Sequence, residues 1–272
     1  MQVLKTFPES LGKHIKFFYS ILATESECID SVHRRLPDGT LDIVFNLGSA
    51  VQLSRDGVNF QKIPSIALTG LYQDKNFLLY KGDVHLIGAV FQPGSAHLFV
   101  NDTLEQFKQC TDNAALIFGN QVYPLLEQIK NISGEKEKHN MLERFLLNYL
   151  RKNKDEYNSC KISGAIQQIH ALEGNVEMPF LYKTHTMSER NFRRKFNEFV
   201  GMSPKQYATI IRIKSFSKRY ELSRSPHVNI LNELGYTDQS HFSKDFQKIV
   251  GTNPIAYFNQ LNKMEEKFIH LI

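Results

Sequence analysis

Residues 187–207, MSERNFRRKFNEFVGMSPKQY, set three arginines and a lysine among phenylalanines and close on glycine and Ser-Pro. Phe192, Phe196 and Val200 recur four apart, which gathers them on one face of a helix. Gly201 lies just past that face as a helix stop, and Pro204 opens the next helix. Residues 237–257, TDQSHFSKDFQKIVGTNPIAY, repeat the pattern without a gap at an offset of 50. Phe192 falls on Phe242, Phe196 on Phe246, Val200 on Val250, Gly201 on Gly251, Pro204 on Pro254 and Tyr207 on Tyr257. Upstream, Leu181 falls on Leu231. Two copies are too few for a solenoid, so this is a tandem pair.

Each copy reads as a short helix, a tight turn and a second helix. Pro179 opens the first helix of copy one, and Ser188 caps its second. In copy two the first helix ends near Gly235 and Asp238 caps the second. This is helix-turn-helix organisation, with units at about 176–201 and 227–251. Between them SPKQYATIIRIKSFSKRYELSRSP reads as a linker helix with an apolar stripe of Tyr207, Ile210, Ile213 and Tyr220, ending before Pro226.

Two ordered copies of the form SxxxFxRxFxxxxGxxPxxY resemble the DNA-binding domain of the AraC/XylS family of bacterial transcription regulators, over about residues 160–260. The second copy, LGYTDQSHFSKDFQKIVGTNPIAYF, is especially similar to the family signature. The resemblance implies that a long helix joins the units and that each second helix enters a successive major-groove segment on one DNA face. It also implies RNA polymerase as a partner, with activation as the expected sign of regulation; the scattered cysteines and the lack of a signal-peptide core point to the cytoplasm. Two residues depart from the family pattern. His185 occupies the turn where copy two has Gly235, so an altered turn is expected, and Phe216 replaces a small linker-helix residue. Both bear on the orientation of the first unit.

Charge points to the same partner. Residues 1–155 hold 17 Lys+Arg against 17 Asp+Glu, whereas 156–272 hold 16 against 11, so the whole excess of +5 lies in the C-terminal part. Residues 186–219 alone carry nine basic side chains against Glu189 and Glu198. Such a local surplus suits a polyanion, although a solvated helical face has the same composition. With the phenylalanines turned inward, Arg190, Arg193, Arg194 and Asn197 are candidates for base contact, since an arginine fork can donate twice to guanine. In copy two the candidates are Gln239, Ser240, His241, Ser243 and Lys244. Lys195, Lys205 and Lys248 are assigned to phosphates. Residues 228–258 carry a net charge of −1, so copy one is expected to supply most of the electrostatic affinity.

The N-terminal half reads differently. TLDIVFNLG, AVQLSRDGVNFQK, IALTGLY and NFLLYKGDVHLIGAVF are short strand runs, with RDGVN and KGD marking hairpins or bends. After QPGSAHLFV the pattern turns helical, with Leu142, Phe145, Leu146, Tyr149 and Leu150 three and four apart, for internal packing or dimerisation. RKNKDEYNSCK reads as the interdomain linker. LPDGTLDIVFNLG and GAVFQPGSAHLFV resemble the N-terminal domains of one branch of AraC-like regulators, which implies a sensory module without naming an effector.

Other chemistry finds little support. His33, His85 and His97 show no HxH, HxxxH or HExxH spacing, so neither metal nor cofactor is expected. Asp38 and Asp42 fit turn and capping roles better than catalysis, and GxSxG, GxGxxG and P-loop patterns are absent. Cys28, Cys110 and Cys160 are far apart and read as reduced thiols. No apolar run reaches the roughly 18 residues a membrane helix needs, and the N-terminus lacks the apolar core of a signal peptide.

The sequence therefore reads as an α+β chain. An N-terminal small β-barrel or sandwich with a helical hairpin (1–155) precedes an all-α tandem helix-turn-helix domain (156–272). The expected function is sequence-specific binding of double-stranded DNA to regulate transcription, under a signal or small-molecule effector at the N-terminal domain. A homodimer is compatible but not required, because one chain already offers two reading helices. The alternatives are a signal-independent DNA binder and an enzyme that its helical domain localises on nucleic acid. No catalytic trio supports the second.

Overall fold

A computed structural model describes residues 1–27, 32–73, 75–100, 104–107, 111–152, 154–223, 227–261 and 265. Ten strands come first: β1 (Gln2–Thr6), β2 (Ile15–Ala23), β3 (Val32–Arg35), β4 (Leu41–Asn46), β5 (Val51–Ser54), β6 (Gln61–Lys62), β7 (Ile66–Gly70), β8 (Asn76–Tyr80), β9 (Val84–Phe91) and β10 (Thr111–Asn113). They form a six-stranded sheet, β1-β2-β9-β4-β7-β10, and a four-stranded sheet, β3-β8-β5-β6, with every pairing antiparallel. The described strands make a sandwich and do not close into a barrel.

β1, β2 and β3 lie upstream of the expected strand runs. β2, IKFFYSILA, is an almost unbroken apolar run because both faces of its sheet are covered. Phe17, Tyr19 and Ile21 face the second sheet, whereas Ile15 and Phe18 belong to the larger apolar cluster on the opposite side. The KGD bend is not a hairpin: β8 pairs with β3 and β5, while β9 pairs with β2 and β4. The chain changes sheets there.

Helices follow: α1 (Ala115–Phe118), α2 (Val122–Lys130), α3 (Glu135–Leu147), α4 (Glu156–Ala171), α5 (Met178–Thr184), α6 (Glu189–Val200), α7 (Pro204–Ser223), α8 (His227–Glu233), α9 (Gln239–Val250) and α10 (Pro254–Asn259). The expected helical hairpin is α2–α3, and Leu142 and Leu146 are fully buried in the core. The stretch expected as a linker is half helical, since α4 starts at Glu156 and buries Ile162, Ala165, Ile166 and Ile169. The end expected before Pro226 lies outside the described residues.

One apolar core runs without a break from the six-stranded sheet through α2 and α3 into α4–α9. Tyr207 sits at its junction, fully buried, with its hydroxyl 2.8 Å from His170 Nε2. Its ring lies edge-on to Phe196 and comes so close to Gly39 that a Cβ there would stand 2.6 Å from it. Phe216 is also fully buried, and it packs on the second unit, 4.3 Å between ring centroids from Phe242. This residue therefore seats the linker helix on unit two.

Phe216→Ala is expected to cost about 3–5 kcal/mol, read as a lower urea midpoint, because the cavity would open between the linker helix and α9. A pH dependence follows from two buried histidines. His97 lies over Phe199 of α6 with centroids 4.6 Å apart, and loss of water pushes its pKa down to about 4. His170 is held at about 4 by burial first, then by Lys214 and Lys16. Both are neutral in the fold, so their stabilisation is complete above the unfolded histidine pKa of about 6.5 and is lost as pH falls from there toward 4. Denaturant unfolding at pH 7, 6 and 5 should show a loss approaching about 1.4 kcal/mol per pH unit for each histidine, with a shallower decline in His97→Gln.

Candidate nucleic-acid interface

The two units are built with the same local chemistry. Ser188 Oγ accepts from Asn191 N at 3.4 Å to start α6, and Asp238 Oδ1 accepts from His241 N at 2.7 Å to start α9. Gly201 and Gly251 end these helices with φ of 81° and 85°. Ser203 and Asn253 then cap the next helices, accepting from Gln206 N at 3.3 Å and Ala256 N at 2.8 Å. The sequence reading missed this last pair of caps, although they align at the same offset.

The turns differ by one residue. In unit two Gly235 takes φ 75° and Tyr236 N donates to Leu231 O at 3.0 Å. In unit one His185 stays at φ −92°, and Thr186 takes the left-handed position at φ 50°. Met187 N then donates to Tyr182 O at 3.0 Å, the same closure moved one residue along the chain. α5 therefore winds one residue further than α8 before it stops, and the left-handed position falls on Thr186. Met187 replaces Tyr236 as the buried residue after the turn.

On α6, Arg190, Arg193 and Arg194 are exposed and Asn197 is half-buried, while Phe192, Phe196, Phe199 and Val200 face the core. Arg193 pairs with Glu189 at 2.7 Å and donates to Tyr182 Oη at 3.3 Å. Arg194 pairs with Glu198 at 3.4 Å and donates to Asn191 Oδ1 at 2.9 Å. Exposed pairs of this kind contribute about 0–1 kcal/mol, so they can be exchanged for a phosphate or base edge at small cost. Lys195 is different. It is 8% exposed, paired with Asp155 and with Glu198 at 3.0 Å, and it lies over the Phe199 ring. Expected among the phosphate contacts, it instead ties α6 to the chain just before α4.

On α9, Gln239, Ser240, His241 and Lys244 are exposed and Ser243 is half-buried. His241 Nε2 lies 3.6 Å from Asp245 Oδ2, and Tyr236 Oη donates to the same carboxylate at 3.5 Å. Between the units runs a groove of about 790 Å³ that Arg193, Lys205, Arg212, His241 and Lys248 border together. Arg190, Arg194, Asn197, Gln239, Ser240, Ser243 and Lys244 lie outside it.

Two linker-helix arginines hold the units in register. Arg212 donates to Gly174 O at 2.9 Å and stacks on Tyr236, 5.0 Å from the ring centroid. Arg219 bridges Glu173, in the turn after α4, to Glu233 at the end of α8. The sequence gives no periodic signal for these ties, which join residues far apart in the chain.

The sandwich holds a second feature. A cavity of about 80 Å³ lies between its sheets, walled by Phe17, Ile21, Val44 and Val90. Buried His33, Asp42 and Tyr19 add polar atoms, with Tyr19 Oη donating to Asp42 Oδ2 at 3.5 Å. Tyr257 and Glu265, from beyond α9, complete the wall. The Tyr257 hydroxyl is buried without a hydrogen-bond partner among the described residues. Those residues include no group of three His, Cys, Asp or Glu placed to hold a metal ion, and no helix long and apolar enough to cross a membrane. Cys160 is an exposed free thiol, whereas Cys28 and Cys110 lie outside the described residues.

Fold and site together define a tandem helix-turn-helix domain behind a β-sandwich. Residues 182–260 match the family model described as "Helix-turn-helix domain", and residues 8–111 match a domain of unknown function, DUF6597. An uncharacterized HTH-type transcriptional regulator of Haemophilus influenzae is 30% identical over 145 residues, which is 49% of either chain. The HTH-type transcriptional activator RhaR of Pectobacterium atrosepticum is 29% identical over 103 residues, 36% of either chain. The matches thus span about half or less of these relatives' lengths. The crystal structure of ToxT from Vibrio cholerae O395 aligns with 90% of this chain and 98% of its own at 12% identity, with a TM-score of 0.48. Residues 182–260 thus carry a domain of the helix-turn-helix family.

The different environments of Arg190 and Lys195 give a direct test. Arg190→Gln is expected to flatten the slope of log affinity against log salt by about 0.9 on duplex DNA. Lys195→Gln should leave that slope unchanged and lower folding stability by about 1–2 kcal/mol, because the two carboxylates it abandons, Asp155 and Glu198, still reach water. Fluorescence anisotropy and urea unfolding measure the two effects.

Proposed function

We propose that this protein is a sequence-specific DNA-binding transcription regulator whose α6 and α9 enter successive major-groove segments of one duplex. The observation that carries the reading is the pairing of two identically capped helices, each with a polar stripe outward, at a separation held by Arg212 and Arg219. Arg190, Arg193 and Arg194 read bases, with Asn197 at the end of the stripe. Gln239, Ser240, Ser243 and Lys244 read from unit two, beside His241, and Lys205 and Lys248 meet phosphates in or near the groove between them. Activation of transcription then calls for contact with RNA polymerase at a promoter. A second copy of the chain is compatible with this mode and not needed by it.

Control enters at the sandwich. A small molecule in the cavity between the sheets would meet an apolar wall with a few buried polar atoms, the usual makeup of a small-ligand site. Tyr257, in the same wall, lies on α10 and packs edge-on against Phe246 of α9, so occupancy bears on the second unit through that contact.

The test is binding of the full chain to the DNA upstream of its own gene and to random duplex, across a salt series. Wild type should prefer the upstream DNA, and Arg193→Ala/Arg194→Ala should lose about 1–3 kcal/mol per arginine, with the preference going first. Equal affinity for every duplex, followed by failure to enrich any site from random sequence, would overturn the reading.

A further inference from the structure

The turns of the two units make different demands on the chain. Thr186 is branched at Cβ and sits at φ 50°, a backbone conformation that such residues rarely take. In unit two the left-handed position belongs to Gly235, which takes φ 75° without that cost. A Cβ at Gly235 would stand 2.3 Å from Asn175 Oδ1, so the glycine is also needed for close approach. A strained backbone persists only where its surroundings over-determine it. Ser188, the cap of α6, lies two residues past Thr186, so whatever holds this turn also aims α6.

The hold comes from α4. Lys161 Nζ donates to Thr186 O at 3.2 Å and to Thr186 Oγ1 at 2.9 Å, and the Thr186 hydroxyl donates in turn to His185 O at 2.8 Å. About two turns further along α4, Gln168 Oε1 lies 3.1 Å from His185 Nε2. Between them Gly164 makes room for the imidazole: a Cβ there would stand 3.0 Å from His185 Cε1. Residues 161, 164 and 168 recur three and four apart, so one face of α4 seats the whole turn, beside the stripe of Ile162, Ala165, Ile166 and Ile169 in the core. Lys161 Nζ also lies 4.3 Å from the centroid of the Tyr157 ring. Both oxygens that it binds on Thr186 are uncharged, so its hold on the turn is a matter of hydrogen-bond geometry and not of ion pairing.

We propose that Lys161 is a positioning residue for the first DNA-binding unit: it clamps the His185–Thr186 turn from α4, and the clamp sets the angle at which α6 presents Arg190, Arg193 and Arg194. On the reading of α6 as a helix that contacts bases, a turn free to relax would swing those arginines away from their base edges. The cost falls on sequence preference first, because bidentate pairing to a base edge demands a fixed geometry, whereas phosphate contacts carry no sequence information. Unit two needs no such clamp, since its glycine takes the left-handed conformation unaided.

Selection of sites from random duplex by the full chain tests this, comparing wild type with Lys161→Met, which keeps an aliphatic stem and removes the donor. The positions read by α6 are those whose preference Arg193→Ala/Arg194→Ala abolishes. Lys161→Met should lower preference at these positions about tenfold, the equivalent of one base contact, and leave the remaining positions as in wild type. Partial unfolding would instead weaken binding at every position together. Thr186→Gly, which accepts positive φ freely, should restore the lost preference when combined with Lys161→Met. In urea unfolding, Lys161→Met should lower the midpoint of the wild-type chain and shift it much less beside Thr186→Gly. Uniform weakening across the site, or no rescue by the glycine, would overturn the proposal. A slope of log affinity against log salt flattened by about 0.9 in Lys161→Met would make the lysine a phosphate contact instead. If wild type prefers no duplex, the base-reading role of α6 fails on its own account. The urea comparison then still decides the clamp, which equal shifts with and without Thr186→Gly would overturn.

Discussion

The packing of Tyr207 is the contact on which the arrangement of this molecule rests. The residue opens the linker helix, touches Phe196 on the back of α6 and bonds His170 on α4. It also fills the space that Gly39 leaves on the sandwich. One buried ring thus joins four elements, and the apolar core around it continues from sheet to helices without a polar layer between them. Burial of a tyrosine ring on this scale supplies directionless adhesion, and the hydroxyl, satisfied by one histidine, fixes its depth. α6 is therefore braced from behind by the sandwich, with Phe199 under His97.

The two units are attached by different means. Both units share the apolar core, but unit one is tied further by Lys195 to Asp155, whereas unit two is tied to the linker helix by Phe216, Arg212 and Arg219. Ionic screening does not weaken apolar packing, while it does weaken the bridge from Arg219 to the partly exposed Glu233. Unit one carries the richer positive stripe, with Arg190, Arg193 and Arg194 exposed on α6 against Lys244 on α9.

Much of this was legible in the chain. The repeated Phe-Phe-Val-Gly-Pro-Tyr spacing announced both units, their caps at Ser188 and Asp238 and the helix that joins them. Those signals are local, and each helix needs only its own residues to declare itself. What escaped depends on distant partners. β2 hid because burial on both faces erases the alternation by which a strand is recognised. Lys195 looked like its basic neighbours, and only the position of Asp155 across the fold shows that it is a structural ion. The roles of Arg212 and Arg219 depend on a glycine carbonyl and two glutamates that no spacing links to them. The altered turn at His185 was visible, but its resolution at Thr186 follows from how far α5 can wind.

Tyr257 and Glu265 come from the far end of the chain, yet they wall the cavity inside the sandwich, where Glu265 accepts from Arg34 N at 2.6 Å. Dissection at the domain boundary would therefore not give two intact halves. The isolated N-terminal fragment would expose an apolar chamber to water along one side, and the isolated C-terminal fragment would carry a tyrosine and a glutamate stripped of their burial. Fragment studies of this protein would report on surfaces that the whole chain never presents.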